Sequence, residues 1–421
     1  MDEIEVPQYF MCPISLQIMK DPVTTTTGIT FDRDSIEQWL FTNNSTTCPI
    51  TRHPLPKNSH LTPNHTLLRL IQAWCTQNGI HSIPTPKPPL DNQVLKLLKD
   101  LKDPKLQLKN IKELKFLASQ NERNNKCLLQ AGVPKAMILF MLTCFRKGQF
   151  DKGLEEALSL LQLQLIDMSQ EDTKLLLAEN NQILDSLTWV LGCEVENSLA
   201  MKSHAVALLN TIMQKASSGV MERLKPELFE RIVKFFRCGT CQQRINAALR
   251  VMLSACHWGR NRIMMVESGA GFELVEIGLG TPEKSTTELT MEILFYLCSC
   301  ADGRAEFVSH KGAIALLTER IFTVSQNVDE RAVFILSLVS KFSATRVVLQ
   351  EMVEVGTVSK LCRLVQSDHH GTYLKDKAGK ILKSHADVWK CSPCISDRDR
   401  SFYANMLSEM QCYSIHSSMP N

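Results

Sequence analysis

Apolar residues recur at helical spacing through most of the chain, from about residue 91 to residue 389. The strongest helix of each predicted unit carries a leucine in one register, and successive leucines are 41 to 48 residues apart. These leucines are Leu114, Leu160, Leu208, Leu249, Leu294, Leu336 and Leu382. Repeat periods in this range are typical of solenoids built from helical units. The pattern therefore predicts about seven stacked helical repeats.

A second signature lies between these leucines and consists of an apolar pair, a glycine and a further apolar helix. It occurs around Gly132, Gly269, Gly312 and Gly356, and the last three glycines are 43 and 44 residues apart. Glycine at a fixed place between two helices indicates a break inside each repeat. Two units in the middle of the chain match this signature poorly, so the number of repeats is predicted only to within one.

The first 79 residues follow a different, mixed pattern. β-Branched residues in segment 23–31 surround Gly28 and predict a β-hairpin. Asp32 is predicted to cap a short helix over 33–42, in which Trp39 lies off the buried stripe.

The second helix of this first domain is predicted to begin at Asn64. Its apolar face is predicted to contain Leu67, Leu70, Ile71 and Trp74, which follow one another at helical spacing. The N-terminal residues thus form a small α+β unit ahead of the helical repeats.

Length sets a minimum of two domains, because 421 residues with 44% hydrophobic content are too many for one core. Four prolines in segment 80–90 forbid helix and favour an extended spacer. We therefore predict a compact domain over 6–79, a linker over 80–90, helical repeats over 91–389 and a C-terminal tail over 390–421.

The net charge and the distribution of cysteines limit the classes of protein to which the chain can belong. A net charge of +3 is small for this length and aromatic residues make up only 6%, which argues against a nucleic-acid-binding protein. The 15 cysteines are scattered, and the first residues carry no apolar signal-peptide core. No uncharged apolar run reaches the ~18 residues of a membrane span. We expect a cytoplasmic protein without a transmembrane segment, with nuclear or peripheral membrane association left open.

Two half-sites for zinc recur in the first domain, each with one cysteine replaced. The chain reads Cys12-Pro-Ile-Ser15 and later Cys48-Pro-Ile-Thr51, where a zinc domain would have C-x-x-C pairs. Hydroxyls are poor zinc ligands beside thiolates, so the sequence predicts no metal. A nucleophilic cysteine would need an activating base, and no nearby histidine has suitable spacing. We expect Cys12 and Cys48 to be buried structural residues.

Several motifs of the first domain occur together. They are Cys12-Pro-Ile-Ser-Leu16, Asp21-Pro-Val23, Ile36-Glu-Gln-Trp39, Cys48-Pro-Ile-Thr51 and Pro63-Asn-His-Thr-Leu67. This combination resembles a U-box, the zinc-free relative of the RING finger found in ubiquitin ligases. The helical remainder resembles armadillo repeats, and the chain is similar to plant U-box/armadillo ligases of the short-N-terminus stress and immunity branch. The resemblance implies a mostly α fold, in which a small α+β U-box precedes an armadillo-repeat α-solenoid.

The resemblance also implies an E3 ubiquitin-protein ligase without a cofactor or a covalent catalytic residue. A U-box binds a ubiquitin-loaded E2 enzyme through a shallow apolar groove, and Ile14, Trp39 and Pro49 match the groove positions. For Trp39, the alternative is packing against the C-terminal helix of its own domain. Arg52 matches a residue that contacts E2 and ubiquitin together, and a surface arginine or an internal salt bridge is its alternative.

The remaining expectations concern structure and partners. Cys12, Cys48, Asp32 and Asn64 are expected to hold the U-box together. The armadillo resemblance implies a groove on the third helix of each repeat that selects a protein substrate. The first and last units are rich in lysine and arginine, which favours acidic substrates, although solvated helix faces are the commoner cause of such patterns.

Two rival functions and one assembly state are also weighed from the sequence. The chain could be a non-catalytic armadillo adaptor with a U-box-like dimerisation module. A zinc RING ligase is nearly excluded by Ser15 and Thr51. A homodimer through the U-box is a family-level expectation.

Overall fold

The chain divides into two compact units, Met1–Met168 and Ser169–Asn421. The computed structural model describes residues 6–42, 45–55, 61–78, 90–179, 182–194, 198–215, 218–239, 241–280, 282–389 and 401–402. The predicted linker over 80–90, apart from Leu90, and the predicted tail over 390–421, apart from residues 401–402, lie outside the described residues.

The first unit begins with a small domain built on a three-stranded antiparallel sheet in the order β2-β1-β3. The strands are β1 Pro22–Thr24, β2 Thr30–Asp32 and β3 Thr62–Pro63. The predicted hairpin is confirmed, since Val23 pairs with Phe31 across β1 and β2. A 3-10 turn over Gln8–Phe10 precedes the sheet.

Two helices pack against this sheet. Helix α1 spans Arg33–Glu37 and continues as a π-helical turn over Gln38–Thr42, so the predicted helix over 33–42 changes its hydrogen-bond pattern halfway. Helix α2 spans His65–Gln77 and begins where the side chain of Asn64 accepts a hydrogen bond from the N–H of Leu67.

The core of this domain includes both cysteines of the two half-sites. Its buried residues are Phe10, Cys12, Met19, Val23, Phe31, Ile36, Leu40, Cys48, Leu55, Ile71 and Cys75. The predicted face of α2 is wrong at Leu70, which is exposed. One residue turns a helix by about 100°, so Leu70 rotates away from the stripe of Leu68, Ile71 and Cys75.

Helices form the rest of both units. In the first unit they are α3 Leu90–Asp100, α4 Gln107–Gln120, α5 Glu122–Gln130, α6 Val133–Lys147 and α7 Leu154–Asp167. In the second unit they are α8 Gln170–Glu179, α9 Ile183–Leu191, α10 Leu199–Lys215, α11 Ser218–Met221, α12 Pro226–Phe236, α13 Gln242–Cys256, α14 Gly259–Glu267, α15 Ala270–Leu279, α16 Lys284–Cys298, α17 Ala301–Ser309, α18 Ala313–Arg320, α19 Gln326–Phe342, α20 Arg346–Glu354, α21 Thr357–Gln366, α22 Thr372–Ser384 and α23 Ala386–Trp389.

Within each unit, the long third helices of neighbouring repeats stack on one another. In the first unit α4 packs on α7, and in the second unit α10, α13, α16, α19 and α22 pack in that order. All seven leucines of the register found in the sequence lie in these helices and are fully buried. Burial of these leucines is the main favourable term that holds neighbouring repeats together.

A glycine joins the first helix to the second in four of the repeats. Gly132, Gly269 and Gly356 have φ angles of 83°, 79° and 79°, in the left-handed region that glycine adopts without strain. Gly312 differs, because its φ angle is −96°. There the absence of a side chain makes room for Leu279, whose Cδ1 would lie 2.6 Å from an added Cβ.

No single described helix is long and apolar enough to cross a membrane. Residues Asn124–Gln130 and Val133–Lys147 reach the required length and composition only as a pair, and that pair is bent by 65°.

The close approach of the first turn of α17 to the end of α16 yields a test of the repeat packing. Gly303 lies where an added Cβ would clash with the carbonyl oxygen of Leu297. We expect Gly303→Ala to destabilise the second unit by roughly 1–3 kcal/mol, because the backbone must shift to accept the methyl group. Thermal unfolding followed by circular dichroism measures the effect.

Gly379 offers a matched control in the same unit. It lies inside α22, and an added Cβ would meet no atom within 4 Å. Gly379→Ala should raise stability by about 0.5–1 kcal/mol, because alanine loses less backbone entropy in a helix. Equal melting temperatures for the two variants would contradict the close contact at Gly303.

Candidate functional site

The first half-site of the small domain folds as a closed turn. The N–H of Leu16 donates to the carbonyl oxygen of Cys12 at 2.9 Å, and the N–H of Cys12 donates to the carbonyl of Gln17 at 2.8 Å. Met11 and Ile18 form an antiparallel bridge at the base of the turn. Backbone hydrogen bonds thus close the loop that a metal would otherwise close.

The second half-site repeats this geometry position by position. The N–H of Arg52 donates to the carbonyl of Cys48, and the N–H of Cys48 donates to the carbonyl of His53, both at 2.9 Å. Thr47 and Pro54 form the matching bridge at the base. The repeated C-P-I motif in the sequence therefore corresponds to a repeated backbone structure.

Each turn places one non-glycine residue in the left-handed region. Leu16 has a φ angle of 54° and Arg52 a φ angle of 57°. Such conformations cost of order 1 kcal/mol and persist where surrounding hydrogen bonds determine them. In both turns the strained residue donates the N–H that closes the loop, so its side chain points out of the turn in a fixed position.

Hydrogen bonds also reach the two cysteine sulfur atoms. The N–H of Asp32 donates to Cys12 Sγ at 3.3 Å, and the Thr27 hydroxyl donates to Cys48 Sγ at 3.5 Å. These donors hold each sulfur where a zinc domain would hold a metal-bound thiolate. Both cysteines are buried, as expected from the sequence.

The same contacts change the acidity of both thiols. Burial acts to raise the pKa of Cys48, but the hydrogen bond from the Thr27 hydroxyl, the nearby Thr51 side chain and backbone N–H groups outweigh it and lower that pKa to about 7. The pKa of Cys12 is lowered against burial in the same way, by backbone N–H groups and the Ser15 hydroxyl. Ser15 and Thr51, which replace the missing thiolates, thus lie near the remaining sulfur atoms, and the Thr51 hydroxyl is buried without a hydrogen-bond partner among the described residues.

Asp32 joins the first turn to the sheet rather than capping α1. It occupies the N-cap position, but its side chain makes no capping hydrogen bond. Its Oδ1 instead accepts hydrogen bonds from the N–H groups of Lys20 and Asp21, both at 2.8 Å. Arg33 Nε contacts Asp21 Oδ2 at 2.6 Å in an ion pair that reinforces the same link. The Asp32 carboxylate points away from α1 because the N–H groups of Lys20 and Asp21, which follow the first turn, are hydrogen-bond donors within its reach.

Trp39 is attached to the second turn. The side chain is half-buried and packs against the domain core, while its Nε1–H donates to the carbonyl oxygen of Thr47 at 2.9 Å. Thr47 directly precedes Cys48, so the hydrogen bond fixes the indole beside the second turn. Ile14 also packs half-buried against this core, and Pro49 in the second turn is half-buried as well.

Two apolar residues at the turns were missed by sequence reasoning. Leu16 is 72% exposed and Ile50 is 52% exposed. Together with Ile14, Trp39 and Pro49 they make the turns an apolar surface. The available signal was their place in the repeated motif: Ile50 follows the second C-P pair as Ile14 follows the first, and Leu16 comes directly after the first half-site.

Arg52 is exposed, and within the described part of the chain its side chain has no ion pair. The internal salt bridge considered from the sequence is therefore formed by Asp21 and Arg33 instead. Within the same described residues, no group of histidine, cysteine, aspartate or glutamate side chains is arranged to hold a metal ion.

The third helices of the second unit carry a row of aromatic rings. Phe295, Phe334 and Tyr373 come from three consecutive repeats, and each ring centroid lies 5.9 Å from the next. The guanidinium of Arg331 lies 4.8 Å from the Phe295 ring and pairs with Glu292. Sequence reasoning missed this row, although its members are 39 residues apart in the chain.

Ion pairs reduce the basic character that the sequence indicated for the first and last repeats. Lys115 Nζ lies 2.7 Å from Glu156 in the first unit, and Lys380 Nζ lies 2.6 Å from Asp376 in the second. The charge pattern of these third helices is therefore partly neutralised within the fold.

Comparisons with known proteins agree with this arrangement. A family model described as "U-box domain" matches residues 6–80, and one described as "Plant U-box protein ARM repeat region" matches residues 93–404. The chain belongs to the plant U-box armadillo-repeat proteins. The E3 ubiquitin-protein ligase PUB24 of Arabidopsis thaliana is 40% identical to it, over 94% of this chain and 95% of the relative. PUB23 of the same plant, also named an E3 ubiquitin-protein ligase, is 40% identical over 94% and 96%.

This U-box protein is accordingly an E3 ubiquitin-protein ligase of the RING type, a class that works with an E2 enzyme and ubiquitin. The fold has a relative among solved structures as well. A crystal structure of an engineered protein matches with a TM-score of 0.51 at 17% identity, covering 74% of this chain and 71% of the other. The mostly α fold expected from the sequence is confirmed.

The link through Asp32 can be tested directly. We expect Asp32→Ala to destabilise the U-box by about 1–3 kcal/mol, because two backbone N–H groups lose their acceptor. Asp32→Asn keeps an acceptor oxygen at this position and should cost less. Urea unfolding followed by Trp fluorescence measures both variants, and an equal loss in the two would contradict the assigned hydrogen bonds.

Proposed function

We propose that the U-box recruits a ubiquitin-loaded E2 through the apolar surface of its two turns, and that the armadillo repeats select the protein substrate. We call the first region the turn surface and define it by Ile14, Leu16, Trp39, Pro49 and Ile50. A partner that covers it removes half-exposed apolar groups from water, which is favourable at roughly 25 cal/mol per Å².

The observation that carries this proposal is the hydrogen bond from Trp39 to Thr47. An indole held at two ends, by the core and by the second turn, loses little entropy when a partner binds. Rigid aromatic side chains of this kind are the usual anchors of small protein interfaces. The rest of the turn surface surrounds this anchor with apolar groups.

The proposed chemistry belongs to the E2 and not to the U-box. The turn surface would hold the E2–ubiquitin thioester in orientations that a substrate lysine can attack, which raises the rate by positioning alone. The lowered pKa of Cys48 gives it no role in transfer, since its thiol is buried in the core.

Arg52 has a proposed positioning role in this complex. Its backbone is fixed in the left-handed region by the second turn, and its side chain is exposed without an ion pair among the described residues. A guanidinium in this position has several donors available for carbonyl groups of both E2 and ubiquitin.

Substrate selection is proposed for the exposed side of the third helices. The aromatic row of Phe295, Phe334 and Tyr373 offers flat surfaces at a regular interval for a chain segment laid across the repeats. A role in plant stress or immune signalling and a cytoplasmic location remain part of the proposal through the family resemblance.

Self-ubiquitination in a reaction with E1, a panel of E2 enzymes, ubiquitin and ATP tests the turn surface. We expect Trp39→Ala and Ile14→Ala to lose most activity, because one anchor contributes about 1–3 kcal/mol in a small interface. Trp39→Phe keeps an aromatic ring at this position but loses the hydrogen bond to Thr47, so intermediate activity is expected.

Leu70→Ala is the matched control, since Leu70 is an exposed leucine on α2 outside the turn surface. It should keep full activity, and a zinc chelator should leave the unmodified protein active. Inactivity with every E2 would favour the non-catalytic adaptor, and full activity of Trp39→Ala would remove Trp39 from the E2 site.

Arg52→Asn removes the guanidinium and keeps the backbone conformation of the turn, because asparagine tolerates the left-handed region. We expect this variant to bind the E2 with unchanged affinity but to discharge the E2–ubiquitin thioester roughly tenfold more slowly, a loss of ~1.4 kcal/mol. Calorimetry and single-turnover discharge give the two readouts. Unchanged discharge would leave Arg52 as an ordinary surface residue.

A further inference from the structure

An open cleft lies between α3 and α6 in the first unit. Its volume is about 330 Å³, within the ~300–1,000 Å³ range of binding pockets. Its apolar part is lined by Leu98 of α3, by Leu101 just after α3, and by Leu139 and Phe140 of α6. Helix α6 follows Gly132 and is the second helix of its repeat, and α3 comes directly before the third helix α4, so the cleft lies mostly on other helices than the proposed substrate surface.

Second helices of the other unit pack closely on one another. In the second unit α15 packs on α18, and an added Cβ at Gly278 of α15 would lie 2.8 Å from Leu316 of α18. In the first unit α3 packs mainly on α4 and α5. The cleft is therefore a local feature of this pair of helices and not a general property of the repeat.

Leucine side chains are exposed along the cleft. Leu139 is 50% exposed, and Leu95, one turn before Leu98 on α3, is 53% exposed. Leu95 lies in a shallow depression that shares Leu98 and Lys102 with the cleft, so the two form one continuous apolar strip. Val94 on the other side of α3 is fully buried, so α3 buries one face and leaves another apolar face uncovered.

Lysines surround this strip. The lining lysines are Lys96, Lys99, Lys102 and Lys147. All four are exposed, and none has an ion pair with another described residue. Asp151 is the one carboxylate in the described lining, and its Oδ1 already accepts a hydrogen bond from the N–H of Gly153 at 2.9 Å. The strip thus combines an apolar floor with an excess of positive charge.

We propose that this α3–α6 cleft is a docking site for a partner-protein segment that combines apolar and acidic side chains. Leucine-like side chains enter the cleft and cover Leu95 and Leu139, and the carboxylates pair with the surrounding lysines. Charge complementarity selects acidic segments over basic ones of equal hydrophobicity. The site goes beyond the proposed function, because it does not use the turn surface and takes only Gln107, the first residue of α4, from a third helix.

The proposal predicts selective peptide binding by the full chain. Fluorescence anisotropy is measured with three short synthetic peptides: one of mixed leucine and glutamate, one with lysine for glutamate, and one with serine for leucine. We expect only the leucine–glutamate peptide to bind, with an affinity that falls as salt is raised. Binding of all three peptides alike, or of none, would overturn the proposal.

Substitutions in the α3–α6 cleft test whether this surface binds the peptide. The double variant Lys96→Glu/Lys99→Glu and the single variant Leu139→Ser should each weaken peptide binding by roughly tenfold. Lys311→Glu and Leu175→Ser are the controls, because these residues are an exposed lysine and an exposed leucine of the second unit. Unchanged affinity in the cleft variants, with unchanged melting temperatures, would place the binding elsewhere.

Two further readouts separate peptide docking in the cleft from ligase activity and from membrane binding. Self-ubiquitination with an active E2 should stay at the wild-type level in the cleft variants, so failure of the ligase proposal leaves the peptide test intact. Cosedimentation with vesicles of anionic phospholipid tests a membrane contact. Lipid binding that depends on Lys96 and Lys99, without peptide binding, would replace the proposed protein partner by a membrane surface.

Discussion

The U-box depends on the hydrogen bonds that close its two cysteine turns. In each turn a backbone N–H bonds back to the cysteine carbonyl, and a further donor reaches the cysteine sulfur. Asp32 then ties the first turn to the sheet through two more backbone donors. Each bond is worth only about 1 kcal/mol net, but leaving buried donors unsatisfied would cost more, so the set acts together. These hydrogen bonds position the core residues and the turn surface.

The same hydrogen bonds explain why the exposed side chains of the two turns have defined directions. Leu16 and Arg52 occupy equivalent, strained positions, so the backbone and not solvent decides where each side chain points. Trp39 gains its orientation from the carbonyl of Thr47. A surface prepared in this way loses little entropy on binding, which suits a ligase that must bind an E2 briefly and release it.

The solenoid follows a different principle, in which stability is added repeat by repeat. Buried leucines of the third helices hold neighbours together, and side chains left outside this packing become available for recognition. The aromatic row uses the third helices, whereas the α3–α6 cleft lies mostly on other helices. One architecture thus presents two chemically different surfaces.

The sequence by itself determined the fold class, the leucine register, the hairpin and the loss of the zinc ligands, because these follow from local spacing and residue chemistry. It did not determine that Asp32 bonds to the first loop, that Leu70 faces water, or that Leu16 and Ile50 are exposed beside Trp39. Those outcomes depend on which backbone donors and which helix faces meet in space. Only the tertiary structure decided them, since residues far apart in the chain compete for the same partners and the same buried volume.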